Sequence, residues 1–232
     1  MDLIVEGLSR AIVLLFTGDA ELWRVIWLSL LVSGTATLLS LLLGIPAGTF
    51  LALTDFPGRR IIVSLVNTGM GLPPIVVGLF VTILLWRSGP LGFLRLLYTP
   101  AAMVIAQCVI ATPIVTGLTL AAMQALNPRL RLQILALGAT RFQMLWLLMR
   151  EARLPLLAAV MAGFGGAISE VGASIMVGGN IQGQTRVLTT ATVMETSRGN
   201  FAMAIALSLV LLVLMLCVNA FLTSIQQRKR PL

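Results

Sequence analysis

NPRLRLQILALGATRFQMLWLLMREARLP, residues 127–155, is a charged island in a chain otherwise written for lipid. It carries Arg129, Arg131, Arg141, Arg150 and Arg153 against a single acid, Glu151. Its apolar residues recur at helical spacing, Leu132, Leu135, Ala136 and Ala139, then Phe142, Leu145, Trp146 and Met149, which predicts two short amphipathic helices. Gly138 falls between them, where a residue free to take positive φ lets the chain turn without steric cost. Asn127-Pro128 marks the way in and Leu154-Pro155 the way out.

The rest of the chain sets that island apart. With 232 residues, 58% hydrophobic and only 10% charged, and a mean hydropathy of +1.02, it is far poorer in charge than a soluble domain at about 25%. It reads as an integral membrane protein. The net charge of +8 does not point to nucleic acid, because the arginines are not interleaved with aromatics and mostly flank apolar runs. Cys108 and Cys217 lie inside apolar runs and have no metal-ligand spacing. Asp2 and Glu6 stand where a signal peptide needs positive charge, so the N-terminal segment is expected to be retained. There is no His, and the one Lys, Lys229, follows no glycine loop. His-based acid–base catalysis and a Gly-Lys-Ser/Thr phosphate loop are thereby excluded, and no metal site or catalytic residue is expected.

Residues 3–17 are too short to cross a bilayer that needs about 20 residues, and segment 1–21 is expected to lie at the interface. Five spans follow. The first is uncharged from Val25 to Leu53 and holds Gly34, Gly44, Pro46 and Gly48, which predicts a helix kinked or loosened toward its end. After the Pro57-Gly58 turn, the second runs from Ile61 to Trp86 and cannot be continuous at Gly69-Met70-Gly71-Leu72-Pro73-Pro74, since paired prolines remove donors and disfavour helix before them. Packing alone accounts for such a kink; lining a water-filled path is the sharper reading. The third span, Leu96 to Leu126, carries Gln107 and is expected to be interrupted at Thr112-Pro113. A fourth runs from near Pro155 to about Gly178, with small residues every four positions, Ala159, Gly163 and Ala167 beside Ala158, Ala162 and Gly166, as in close helix contacts in lipid. Residues 179–200 are polar with a short helical core, and the last span runs from Phe201 to about Ile225.

This count puts the 54–60 loop, the island and the C-terminal tail on one side with ten of the sixteen basic residues. By the positive-inside rule that side is cytoplasmic and the N-terminus is outside. One acid falls inside an expected span, Glu170, in Gly165-Gly166-Ala167-Ile168-Ser169-Glu170-Val171-Gly172-Ala173. A continuous helix from Pro155 places it roughly 20 Å into the span, on the face of Ala158, Ala162 and Gly166. A carboxylate there must be paired, hydrogen-bonded or protonated. It either caps or pairs across a helix contact, or it meets a passing substrate.

The island resembles the cytoplasmic loop of the permease subunits of ATP-binding-cassette importers, whose pattern is Glu-Ala-Ala, three residues, Gly, then about nine residues to Ile-x-Leu-Pro. Leu135 to Arg141 matches around the glycine and Leu154-Pro155 matches the end. Leu132-Gln133-Ile134 replaces Glu-Ala-Ala, and the glycine-to-proline distance is about one helical turn longer. Within that family the chain looks most like the tungstate importer permeases, with the molybdate ones as nearer cousins than sugar or amino-acid permeases. The stretches carrying this are Gly71 to Gly78, Arg87 to Gly92, Ala167 to Ala173, and Val177 to Asn180 continuing to Thr185–Thr190.

The resemblance implies an all-α membrane protein of the type I importer permease fold, a single permease domain over 1–232 whose loop 127–155 is the cytoplasmic coupling loop in the cell's inner membrane. It implies a homodimer, two ATP-binding-cassette ATPase subunits that use the ATP and Mg, and an extracytoplasmic oxyanion-binding protein; no cofactor is expected in this chain. Arg131, Leu135, Gly138, Ala139, Thr140, Arg141 and Phe142 are then the ATPase-coupling residues. For the translocation path the candidates are Pro73, Pro74, Gln107, Thr112, Ser169 and Glu170, whose hydroxyls and amides would escort an oxyanion without trapping it. Molybdate, vanadate or another oxyanion stays open as the cargo. A secondary transporter driven by an ion gradient would show related halves or several intramembrane charges; a membrane enzyme would have to rely on Ser169 with Glu170; a purely structural subunit gives no reason for Pro73-Pro74 inside a span.

Overall fold

The computed structural model describes residues 5–9, 13 and 19–227. Residues 5–9 are helical; most of segment 1–21 and the basic tail Arg228-Lys229-Arg230 lie outside the described residues. From there the chain is a run of helices: α1 (Ala20–Leu53), α2 (Arg59–Met70), α3 (Pro74–Leu85), a 3-10 turn at Gly92–Leu94, α4 (Pro100–Gln124), α5 (Pro128–Ala136), α6 (Arg141–Glu151), α7 (Arg153–Ile168), α8 (Gly172–Gly178), α9 (Leu188–Ser197) and α10 (Phe201–Gln227). Three of these, α1, α4 and α10, are each long and apolar enough to cross a membrane. Two bent pairs, α2 with α3 at 103° and α7 with α8 at 56°, bring the number to five if each pair is one span.

The five-span reading therefore has a counterpart for each span, with three differences in where they break: two expected breaks are missing, and the fourth span, expected to be continuous, is bent at 169–171. The first span does not loosen near Pro46, because α1 continues through it for 34 residues. The third is likewise not interrupted at Pro113, which sits inside α4. Hydroxyls flank that proline: Thr112 donates to the Cys108 carbonyl at 2.7 Å and Thr116 to the Thr112 carbonyl at 2.7 Å, the kind of local bonding that lets a membrane helix tolerate proline.

The glycines of α1 serve close approach to α4. A Cβ on Gly48 would lie 2.5 Å from the Thr116 carbonyl oxygen, and one on Gly44 2.8 Å from Val115. Gly48→Ala meets backbone rather than a movable side-chain tip, so the two helices must separate, at about 1 to 3 kcal/mol for an overpacked contact. The purified protein is expected to unfold several degrees lower than wild type in a thermal scan.

Three buried clusters hold the bundle. Val32, Val77, Val81, Met103 and Val177 tie α1, α3, α4 and α8 together. Leu22, Ile26, Leu188, Leu207 and Val210 join the start of α1 to α9 and α10. The third cluster anchors the charged island: Ile134, Met144, Leu148 and Ala152 pack on Ala122, Met123 and Leu156. Of the residues picked out by spacing only Ala139 and Leu145 pack against this cluster, both partly buried. Leu132, Leu135, Phe142, Trp146 and Met149 are all exposed, Phe142 at 79%, and Ile134, Met144 and Leu148 face in.

Candidate functional site

Pro73 and Pro74 end one helix and begin another. Met70 closes α2, Pro73 is extended at φ −60° and ψ 122°, and Pro74 takes the first position of α3, where its missing donor costs nothing. The first turn of α3 carries no side-chain cap; its Val76 and Val77 N–H groups donate to the Pro73 carbonyl at 2.9 and 3.4 Å, so what this end offers an anion is chiefly the helix dipole.

The fourth span breaks opposite. α7 stops at Ile168, and the Ser169 hydroxyl donates to the Gly165 carbonyl at 2.7 Å, satisfying a helix end. Glu170 then restarts the chain: its Oε1 accepts the Ala173 backbone N–H at 2.8 Å. The Thr189 hydroxyl fixes the backbone behind it by donating to the Glu170 carbonyl at 3.1 Å. The residue is buried. The expectation of one continuous helical face through Ala158, Ala162, Gly166 and Glu170 is thereby corrected, since the helix has ended before Glu170 is reached. The carboxylate works as a cap on α8 within its own segment and not across a helix contact.

These two breaks meet. A cavity of about 340 Å³ is lined by Gly71, Pro73, Pro74, Val109, Ile114, Ser169 and Glu170, among others, room for about ten waters at roughly 30 Å³ each. Four of the six residues singled out for a path, Pro73, Pro74, Ser169 and Glu170, are brought to it. Gln107 and Thr112 are not. Gln107 is 2% exposed and donates from Nε2 to Ser174 Oγ at 3.2 Å, which joins α4 to α8; the Thr112 hydroxyl is committed to its own helix.

Sequence reading passed over α2. Among its residues none is buried, and its exposed positions Ser64, Asn67 and Thr68 give it a polar side inside an uncharged run. Thr68 donates to the Ser64 carbonyl, and Asn67 is exposed. Ser64, Asn67 and Thr68 recur at helical spacing within the uncharged run, which is the sequence signal for that polar side.

The island forms as two helices. Asn127 Oδ1 accepts the Arg129 N–H at 3.0 Å with Pro128 in the first position of α5. Gly138 takes φ +81° and has nothing within 4 Å of where a Cβ would stand. Thr140 and Gln143 form a reciprocal capping box, Thr140 N–H to Gln143 Oε1 at 2.8 Å and Gln143 N–H to Thr140 Oγ1 at 3.3 Å. A single residue, Ala152, separates α6 from α7. Arg131 donates to the Leu53 carbonyl at 2.9 Å, tying α5 to the end of α1. Leu135, Arg141 and Phe142 are exposed and border a groove against the end of α1, with Ala139 half-buried. A small jointed unit, rooted in the bundle by one apolar cluster and exposed elsewhere, can pass a push on its surface into α4 and α7.

Residues 44–231 match the family described as binding-protein-dependent transport system inner membrane component. The chain belongs to that family. It is the membrane permease component of such a system, an importer of the ATP-binding-cassette class. The permease is 41% identical over 98% of its length, and 100% of the relative's, to the tungstate uptake system permease protein TupB of Peptoclostridium acidaminophilum. It is 44% identical to a probable anion ABC transporter permease protein of Haloferax volcanii, over 83% of this chain and 85% of that one. The molybdenum transport system permease protein ModB of Escherichia coli is 26% identical over 89% of this chain and 96% of its own. Among solved structures, the inward-facing MetNI methionine ABC transporter superposes with a TM-score of 0.75 at 21% identity, covering 90% of this chain and 96% of that one, which bears on fold alone.

Proposed function

We propose that this permease carries tungstate inward, as a homodimer with two ATPase subunits on the 127–155 loops and an oxyanion-binding protein on the outer face. The observation that supports the cargo is the 41% identity to a permease named for tungstate uptake over nearly all of both chains, joined by a 35% identical tungstate uptake permease of Campylobacter jejuni over 94% of this chain and 92% of its own. ATP and Mg belong to the ATPase partner, and this chain supplies a single permease domain with the N-terminus outside and the C-terminus inside. The ATPase would rest on the outer edge of the island, at Leu135, Gly138, Ala139, Thr140 and Phe142, with Arg131 and Arg141 flanking that contact on the side of the groove toward α1. The path would pass the meeting point of the broken spans, with Ser169 and Glu170 on one wall and Pro73 and Pro74 on the other, and the exposed Ser64 and Asn67 of α2 would extend it. A carboxylate beside an anion's route repels it, so in this reading the α3 dipole does the attracting, and Glu170 shapes the wall.

Uptake of labelled tungstate into cells, with and without the chain, tests the cargo. Competition is expected to rank tungstate above molybdate, and both above vanadate and sulfate; uptake that molybdate or sulfate displaces better than tungstate does removes the assignment. Persistence of uptake without the ATPase, on an ion gradient alone, would favour a secondary carrier instead. Orientation has its own measurement. With Cys108 and Cys217 replaced by alanine, a membrane-impermeant thiol reagent added outside is expected to label Gln182→Cys and spare Arg129→Cys; the reverse pattern inverts the topology.

A further inference from the structure

A groove of about 640 Å³ runs between the last turns of α1 and the island. Ile45, Pro46, Phe50 and Leu53 form the wall contributed by the spanning helix, and Leu145 and Trp146 face them from α6. Arg131 and Arg141 both line it, and no carboxylate is among its lining residues. Arg141 forms no ion pair among the described residues. Arg150 lies over the Trp146 ring at 5.4 Å from its centroid, and tryptophan with arginine is the combination that settles at the boundary of hydrocarbon and water. The α1 wall continues into exposed apolar surface at Leu38, Leu42 and Leu43, Leu42 at 71%.

We propose that this groove is a binding site for an anionic phospholipid, with the phosphodiester facing Arg131 and Arg141 and the first part of an acyl chain lying along Ile45, Pro46 and Phe50. Charge decides the occupant. An acid-free groove with two arginines, one wall of which is a membrane-spanning helix, is complementary to an amphiphile with a negative head and an apolar tail. A volume of this size takes a headgroup and a stretch of chain, being within the range of about 300 to 1,000 Å³ that holds small ligands. A lipid seated there would bridge the inner end of α1 to the island and so couple membrane composition to the loop's position. The proposal rests on the island lying at the inner membrane face, which the cysteine labelling above decides separately.

The permease–ATPase complex, purified in mild detergent from cells and washed, is to be analysed by native mass spectrometry with added phosphatidylglycerol or phosphatidylcholine. Phosphatidylglycerol is expected to be retained selectively, and Arg131→Gln and Arg141→Gln each to weaken retention about fivefold, equivalent to ~1 kcal/mol per basic residue. Arg141→Lys, which keeps the charge, is expected to restore it. A second readout needs no loss of arginine: with Trp146 as the only tryptophan, brominated phosphatidylglycerol is expected to quench it more than brominated phosphatidylcholine at equal mole fraction. Equal retention of the two lipids, retention unchanged in both glutamine variants, or equal quenching overturns the site; so does crosslinking from Leu145 that captures the ATPase or the second permease copy instead of lipid.

Discussion

Gly138→Val is expected to leave the permease inserted and assembled while cutting ATP-dependent uptake by at least about tenfold, with ATP hydrolysis by the partner retained. The cause is conformational. Gly138 holds φ +81° between two helices, and a Cβ there would meet no atom within 4 Å, so crowding contributes nothing. A β-branched residue is disfavoured in the left-handed region by roughly 1 to 2 kcal/mol, and a factor of ten corresponds to 1.4 kcal/mol. The joint then relaxes toward other angles and α5 no longer stands at a fixed orientation to α6. Gly138→Asn separates this from a generic surface effect, because asparagine tolerates the left-handed region; its uptake is expected to lie within about threefold of wild type. Uptake by purified complex in vesicles, measured beside hydrolysis, gives the ratio that matters. Wild-type coupling in the valine variant would mean that the turn's geometry is irrelevant to transmission.

That joint was legible because its signals are local. A glycine between two amphipathic runs and an Asn-Pro entry each constrain the backbone within one turn, and the cap at Asn127 follows from the second; the Thr140–Gln143 box is as local but was not among the expectations. Pro73-Pro74 was legible for the same reason. Pro113 misled because the same residue type inside a single long helix is held by hydroxyls and a close glycine neighbour, Gly69, whose Cβ would lie 2.9 Å from the Pro113 ring; only the packing says so. The break at Ser169–Val171 carries no proline and ends an apolar helix whose spacing runs straight through it, so periodicity extended the helix to Gly178. The face of the island that packs inward, Ile134 with Met144 and Leu148, was likewise hidden: both faces of α6 are apolar, and spacing alone does not say which one meets Met123.

The break that spacing missed carries the other large effect. Glu170→Ala removes the acceptor for the Ala173 N–H in a buried setting, and an orphaned buried donor costs about 1 to 3 kcal/mol, with more when its partner was charged. The restart of α8 then loses its fixed point, and α8 is what packs against α3, where a Cβ on Gly78 would already lie 2.6 Å from Ala173. Glu170→Ala is accordingly expected to yield little folded protein from membranes, with a purified remnant that unfolds well below wild type. Glu170→Gln keeps an oxygen at the cap and removes only the charge. It is expected to fold nearly as wild type and to carry the oxyanion at least as fast, since the one negative group lining the cavity between the broken spans is gone. The pair of variants divides two roles that the wild-type residue merges. A glutamine variant that folds and yet fails to transport would make the charge itself part of the path, whereas an alanine variant that folds and transports normally would show that α8 needs no carboxylate to begin.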